Sequence, residues 1–541
     1  MATTSTHVDA PAARGTSGRS WRLAPPALVV LGWLAALPLV GDYGNPDGPS
    51  YAIVARLWLQ GSWADAVNAY WGPLLSWLAV PFLAVGVPDL LALRVVLLLG
   101  ALACLVPLRA LAHRAGAGER ATDLALVATA PLLVYAASFG LYADVLMAGA
   151  LLRSLELATR REVREDPWLL VRAGAWAGVA YLARAYAVPV VLVSIPLIAL
   201  THVLTSPEAD RRLARAVRHA AMLLAGFALV GGSWAVVLSL SEGEPTFSTS
   251  AGFNADLVAP GSAGNPFNRP GLHEPVRAGG LSGWEEPSQL PIPLRSDAGS
   301  AGTGGELGER DASQRAELAV ANARIAVGSV LRRGAPLALL AALALAAVVG
   351  GRRRASSALF APLLTGAVAA GGLLAIIAIE RYLWFPILAA VPAAALGLDV
   401  VLARSRRLGL AVGAATILLM VLAAAHGLLP RVGAHEEVTV AAATLEDTPS
   451  LGRVATIDSW QRSHLLCFHT DCTYLGRPDA ETVAAVGTEL RAADVDHLLV
   501  WGDDVRELPG LAEHVDRRSD LTILRVTADG FEPHLVFDDL P

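Results

Sequence analysis

The chain has 541 residues, 54% of them hydrophobic and only 17% charged, with a mean hydropathy of +0.50. Soluble globular chains carry about 25% charged residues, so composition excludes a soluble enzyme and points to a polytopic membrane protein. The formal net charge of −6 carries little information, because the two signs are segregated by loop.

In chain order, residues 1–22 are small, polar and rich in Pro, Gly and Ser, and read as a disordered cytoplasmic N-terminus. Arg14, Arg19 and Arg22 precede an apolar run at 23–40 that resembles a signal peptide. It is long and lacks a small-x-small cleavage site before Asp42, so it reads as an uncleaved first span. Further apolar runs fall near 89–112, 123–140, 142–158, 169–185, 186–204, 219–240, 335–351, 355–379, 382–403 and 408–429. The Arg-rich connections are 1–22, 113–122, 159–168, 205–218, 352–354 and 404–407. Under the positive-inside rule all of them are cytoplasmic together only if 71–88 does not cross. Residues 50–88 are therefore expected to form helices lying in or dipping into the outer interface. The result is eleven spans, with the N-terminus inside and the C-terminus outside.

The segment 241–310 is long and rich in Gly, Pro and Ser, a length uncommon unless functional or disordered. Residues 311–333 read as an amphipathic helix. From about 430 the apolar runs stop, and β-like segments at 453–458, 497–501 and 521–526 with a helical pattern at 480–494 imply a small α/β domain. The expected organisation is a transmembrane domain at 23–430, with outer loops at 41–88 and 241–334, and an extracytoplasmic α/β domain at 431–541. Cys104 in an apolar run reads as packing. Cys467 and Cys472 can pair outside the cell, with free thiols or a metal site including His464 and His469 as alternatives. Asp458, Trp460 and His464 read as structural, and His273 and Glu274 have no metal-like spacing.

The polar candidates gather on one expected face: Asp42, Asp47, Asp144, Arg184 and Arg381. A carboxylate can accept a proton from a nucleophile, and arginine offers permanently charged planar donors suited to phosphate. Each has a plainer reading. Asp42 and Asp144 serve as helix caps, Arg184 and Arg381 as interfacial anchors, and Glu380-Arg381 as a local ion pair. Trp58, Trp63, Trp71 and Trp77 read as an interfacial aromatic belt.

Asp47-Gly-Pro-Ser-Tyr51, followed by Ala55, Leu59 and Gly61, resembles the Asp-x-x-x-Tyr … Ala … Leu-x-x-Gly opening of the first outer loop in GT-C glycosyltransferases, notably family 39 protein-mannosyltransferases and aminoarabinose-transferase-like enzymes. Tyr70-Trp-Gly-Pro-Leu-Leu-Ser-Trp77 resembles their Pro-Pro-Leu-x-x-Trp segment, and Leu141-Tyr-Ala-Asp144 sits where they carry a second outer Asp. Arg381-Tyr382 with Pro386 resembles their late Arg-Tyr … Pro span. The resemblance covers residues 25–430. One departure is Gly48, where many relatives follow the catalytic Asp with Glu.

The resemblance implies a mainly α, GT-C-like membrane enzyme that moves a sugar from a polyprenyl-phosphate donor to an extracytoplasmic acceptor hydroxyl by one inverting displacement. Asp47 would be the base, Arg184 and Arg381 would hold lipid phosphate, and Asp144, with Asp42, would position the acceptor or an ion. Tyr51 and Tyr382 support the motif. No cofactor is indicated; a divalent metal remains compatible with the carboxylates. The expected partners are the lipid-linked sugar, a protein, polysaccharide or lipid acceptor, and the bilayer, with no nucleic acid. A lipid-linked-glycan flippase is the competing reading, and a non-catalytic assembly factor a third. A transporter would carry ionisable groups or broken helices at the bilayer midplane, whereas here the charges sit at one boundary.

Overall fold

The apolar runs become helices. The computed structural model describes residues 22–41, 45, 47–204, 212–250, 271–272, 312–354, 356–457, 459–470, 472–502, 510–513, 515 and 519–541. Asp42, Asp458, His273, Glu274, most of 1–22 and most of the 241–310 segment lie outside the described residues. Helix α1 is Ala24–Val40, followed by α2 (Asp47–Gln60), α3 (Trp63–Ala66) and α4 (Pro73–Ala84). Then come α5 (Asp89–Arg114), α6 (Glu119–Ser138), α7 (Asp144–Ala158), α8 (Trp168–Ala183) and α9 (Ala187–Leu204). A π-helical turn joins α10 (Arg212–Phe227) to α11 (Ser233–Glu242). After the long connection come α12 (Ala312–Arg333), α13 (Ala335–Val349), α14 (Ser357–Ala375), α15 (Trp384–Arg404) and α16 (Arg406–Leu428).

The eleven apolar runs all fall on helical segments, with 219–240 divided among α10, the π turn and α11. Among the described residues, six helices are long and apolar enough to cross a membrane unaided, and the α12–α13 pair, bent by 95°, adds a seventh if counted as one span. Helices α1, α4, α8 and α9 are apolar but shorter.

The helices have two chemically different ends. At one end, Arg22 pairs with Glu119, Arg109 with Asp123 at 2.7 Å, and Arg353 with Asp399 at 2.5 Å. There, Glu156 at the C-terminal end of α7 is buried and gripped by Arg114, Arg153 and Arg160 at 2.8, 2.5 and 3.0 Å. Asp144 begins α7 at the opposite end. Twelve residues of helix rise about 18 Å, so the two charge clusters sit at opposite ends of α7.

Close backbone approach sets α8, and with it the residue that follows. Gly174 and Gly178 form a G-x-x-x-G ridge against α10: a Cβ on Gly174 would lie 2.0 Å from the Leu223 carbonyl oxygen, and one on Gly226 of α10 only 1.9 Å from that of Val171. Buried Arg94 of α5 donates to the carbonyls of Val40, Gly41 and Ser138, satisfying the C-terminal ends of α1 and α6 where no further turn can donate to them.

Beyond α16 lie α17 (Glu436–Thr444), α18 (Trp460–Thr470), α19 (Val483–Ala492) and a five-stranded sheet of order β3-β2-β5-β6-β7. These strands are β2 (Arg453–Thr456), β3 (Thr473–Tyr474), β5 (His497–Trp501), β6 (Leu521–Thr527) and β7 (Gly530–Phe537). Strand β2 is parallel to β3 and β5, and β5-β6-β7 is antiparallel. All of β5 (HLLVW) is buried, because Leu499 and Trp501 pack on α17 and α18 while Leu498 and Val500 pack on α19. A short strand β1 (Gly271–Leu272) pairs with β4 (Gly476–Arg477), tying the long connection to this region.

Strand β7 and helix α18 were not anticipated. Pro533 interrupts the apolar pattern of β7 and sits at a register shift on an edge strand, where a missing N–H is tolerated. Cys467 and Cys472 form a disulfide, which removes the metal-site and free-thiol alternatives, and Cys104 is buried and free. Phe468, beside that disulfide, packs with Ile53, Leu57, Trp58 and Ala66, and the Arg56 guanidinium lies 4.9 Å from its ring centroid. The C-terminal sheet region is thus seated on the helix that begins with Asp47.

Candidate active site

Four charged residues from four distant stretches meet at one end of the bundle. Asp47 begins α2 and Asp144 begins α7, so both carboxylates lie where a helix dipole favours negative charge. Arg184 follows the last turn of α8 in extended conformation, and Arg381 lies in a 3-10 turn (Glu380–Leu383) that leads into α15. Arg184 Nη2 donates to Asp144 Oδ2 at 3.0 Å, and Arg381 Nη1 lies 3.3 Å from Asp47 Oδ2. The second contact is an ion pair without hydrogen-bond geometry: Asp47 Oδ2 and Arg381 Nε are buried with no hydrogen-bond partner. Asp144 Oδ1 and the Tyr51 hydroxyl are unpartnered in the same sense. Asp144 therefore spends its bond on Arg184 rather than on capping its own helix.

Backbone contacts fix this arrangement. Asn45 Oδ1 accepts the Leu141 N–H at 2.9 Å, tying the approach to α2 to the turn before α7. Gly48 explains the departure from the Asp-Glu pattern. A Cβ there would meet Leu141 Cδ1 at 2.3 Å, and Leu141 is fully buried. Ser76 of α4 donates to the Tyr51 carbonyl at 2.8 Å. In the Trp71-Gly72-Pro73 corner, a Cβ on Gly72 would lie 2.5 and 2.6 Å from the Leu182 and Ala183 carbonyl oxygens, so α4 abuts the end of α8 just before Arg184.

Aromatic rings surround the charges. Arg381 stacks on Tyr142 at 3.8 Å and lies 5.3 Å from Tyr382, while Arg184 lies 5.7 Å from the same Tyr382 ring. Tyr186 also stacks on Tyr382, with ring centroids 6.2 Å apart. Tyr51, one helical turn after Asp47, packs on Trp71, which also meets Tyr70 edge-on. Burial, reinforced by the charge of Asp47, pushes the Tyr51 and Tyr70 hydroxyls well above their usual range, so both remain neutral. Trp71 departs from the expected aromatic belt, being buried against Tyr51 and Tyr70, whereas Trp63 is 64% exposed.

Comparison with solved structures finds ArnT from Cupriavidus metallidurans bound to undecaprenyl phosphate, with a TM-score of 0.58 over 96% of this chain and 98% of that one, at 16% identity. The chain shares the fold of that ArnT structure. The apo form of the same ArnT (TM-score 0.47, 16% identity, 95% and 99% covered) also aligns with most of this chain. So does an oligosaccharyltransferase from Archaeoglobus fulgidus (TM-score 0.48, 13% identity, 89% and 70% covered). No protein-family model matches the sequence, and neither does any curated protein.

Within this fold, Asp47, Asp144, Arg184 and Arg381 are brought together, with Tyr51 and Tyr382 against them; Asp42 lies outside the described residues. Glu380 and Arg381 do not form the expected local pair. Glu380 Oε1 instead accepts from Arg333 Nε and from the Tyr135 hydroxyl, each at 2.8 Å. Sequence reasoning passed over Tyr142, Tyr186, Arg333 and Tyr135. Tyr142 and Tyr186 each stand two positions from a residue it had chosen, a signal that could have raised them. Among the described residues, no three His, Cys, Asp or Glu side chains are grouped to hold a metal ion.

Proposed function

We propose that this chain is a membrane glycosyltransferase that transfers a sugar from a polyprenyl-phosphate donor to an acceptor hydroxyl outside the cell, with inversion. The observation that carries the reading is the convergence of two carboxylates and two arginines, from residues 47, 144, 184 and 381, in one tyrosine-walled cluster on this fold. The undecaprenyl phosphate bound to the ArnT structure supports the class of donor.

In this reading, the acceptor oxygen attacks the anomeric carbon as its proton passes to Asp47. The bond from that carbon to the phosphate oxygen breaks, and its electron pair leaves with the lipid phosphate. Arg381 and Arg184 stabilise the charge that develops there, as preorganised donors do. Arg381 Nε has no partner to give up. Asp144 holds Arg184 in place and offers its free oxygen to the acceptor.

The placement belongs to the same proposal. Eleven spans run between a cytoplasmic Arg-rich end and an outer end that carries the site, with the membrane part at 23–430 and an extracytoplasmic domain at 431–541. The opposite charge clusters at the two ends of α7 support it. The test is transfer in vitro. The purified chain, given polyprenyl-phosphate-linked sugars and candidate acceptors, is expected to release polyprenyl phosphate and form a glycoside of inverted anomeric configuration by NMR. Retention of configuration would overturn the single displacement, and absence of transfer from every such donor would overturn the donor class.

A further inference from the structure

The turn that carries Arg381 cannot hold itself. It is a four-residue 3-10 segment, closed by the Tyr382 N–H donating to the Ile379 carbonyl at 3.0 Å, and such short turns have poor hydrogen-bond geometry. Its neighbours anchor it instead. Glu380 Oε1 accepts from Arg333 at the end of α12 and from Tyr135 of α6. Arg333 is itself 6% exposed, donates to the Ala423 carbonyl of α16, and lies 4.4 Å from the Tyr135 ring centroid. Eleven residues earlier on α12, Asn322 donates to the carbonyls of Leu374 and Ile376 at 3.1 and 3.3 Å and accepts the Ala378 N–H at 3.1 Å. One helix therefore grips residues 374–380 at both ends.

We propose that Glu380 is a positioning residue: held by Arg333 and Tyr135, it fixes the turn so that the adjacent Arg381 guanidinium lies flat on Tyr142 and faces Asp47. A carboxylate next to Arg381 in sequence would otherwise compete for that guanidinium. Arg333 removes the competition by taking Glu380 into a partly buried, charge-assisted bond. The inference rests on the reading that Arg381 binds lipid phosphate.

Charge alone makes the opposite demand, which gives the test its edge. Deleting a carboxylate next to a phosphate site should tighten anion binding, whereas deleting a positioning residue should weaken it. The experiment measures binding of decaprenyl phosphate to the full-length chain in detergent, with the thermal midpoint of the ligand-free protein recorded alongside. The wild type is expected to bind, and Glu380→Gln to bind roughly tenfold more weakly with its midpoint little changed. No binding by the wild type overturns the underlying reading. Wild-type binding with equal or tighter binding by Glu380→Gln overturns the positioning role alone. Tyr135→Phe keeps both charges and the ring beneath Arg333, and carries the same test if the first variant does not fold. It is expected to weaken binding about threefold, the scale of one hydrogen bond, and unchanged affinity would overturn the role.

Discussion

Asp47 and Asp144 both open helices, yet neither is explained by capping. Asp144 Oδ2 is bonded to Arg184 and its other oxygen is unpartnered, while Asp47 Oδ2 faces Arg381 out of hydrogen-bond geometry. Buried polar atoms left without partners cost roughly 1–3 kcal/mol each. Several such atoms in one cluster suit the polar ligand proposed above. The offset of Asp47 to Tyr51 was legible because it lies within one turn of one helix. The grip of Arg333 on Glu380 was not, because it joins two elements 47 positions apart through a turn whose geometry no local pattern encodes. Gly48 was legible only as a departure, and its cause lies across the chain in Leu141. Arg381→Gln is expected to reduce kcat/KM for a polyprenyl-phosphate sugar by about 10²–10³-fold, as loss of a preorganised donor does, measured by release of the lipid phosphate. A fall of less than threefold would remove Arg381 from the phosphate site.

Elements with strong periodicity or long apolar runs were read correctly, including α12 as an amphipathic helix and the short helices at 47–84. What the pattern did not contain was the right-angled bend between α12 and α13, which lets α12 turn back onto 374–380. The same limit applies in the C-terminal region, where β5 was plain as a buried apolar run but β7 was hidden by Pro533. That region carries its own pH response. Burial pushes His464 of α18 down to about 3, against an ordinary value near 6.5. Above pH 6.5 the group is neutral folded or unfolded and contributes no pH dependence. Between 6.5 and 3 only the unfolded chain binds the proton, so stability falls as pH falls, by about 2 kcal/mol at pH 5. The thermal midpoint of the C-terminal region is expected to drop from pH 7 to pH 5 and to do so less in His464→Leu. An equal drop in both would place the acid sensitivity elsewhere.

At the scale of the whole molecule, the segregation of arginine-rich connections made a common face legible before any helix was placed. The ion pairs now found at one end, Arg114, Arg153 and Arg160 on Glu156 among them, give that segregation a physical form. Single cysteines at Trp63, Glu446 and Arg161, all exposed, test the proposed sidedness. Trp63→Cys and Glu446→Cys are expected to react with an impermeant maleimide in intact cells, and Arg161→Cys only after permeabilisation. Labelling that put positions 63 and 446 on opposite sides would break the arrangement, since Phe468 seats the C-terminal region on α2. The account comes down to whether the carboxylate at the start of α2 takes the acceptor's proton. Asp47→Asn keeps the shape and removes the base, so transfer from a polyprenyl-phosphate sugar is expected to fall by about 10²–10⁴-fold while decaprenyl phosphate still binds. Turnover within a few-fold of wild type in that variant would contradict it.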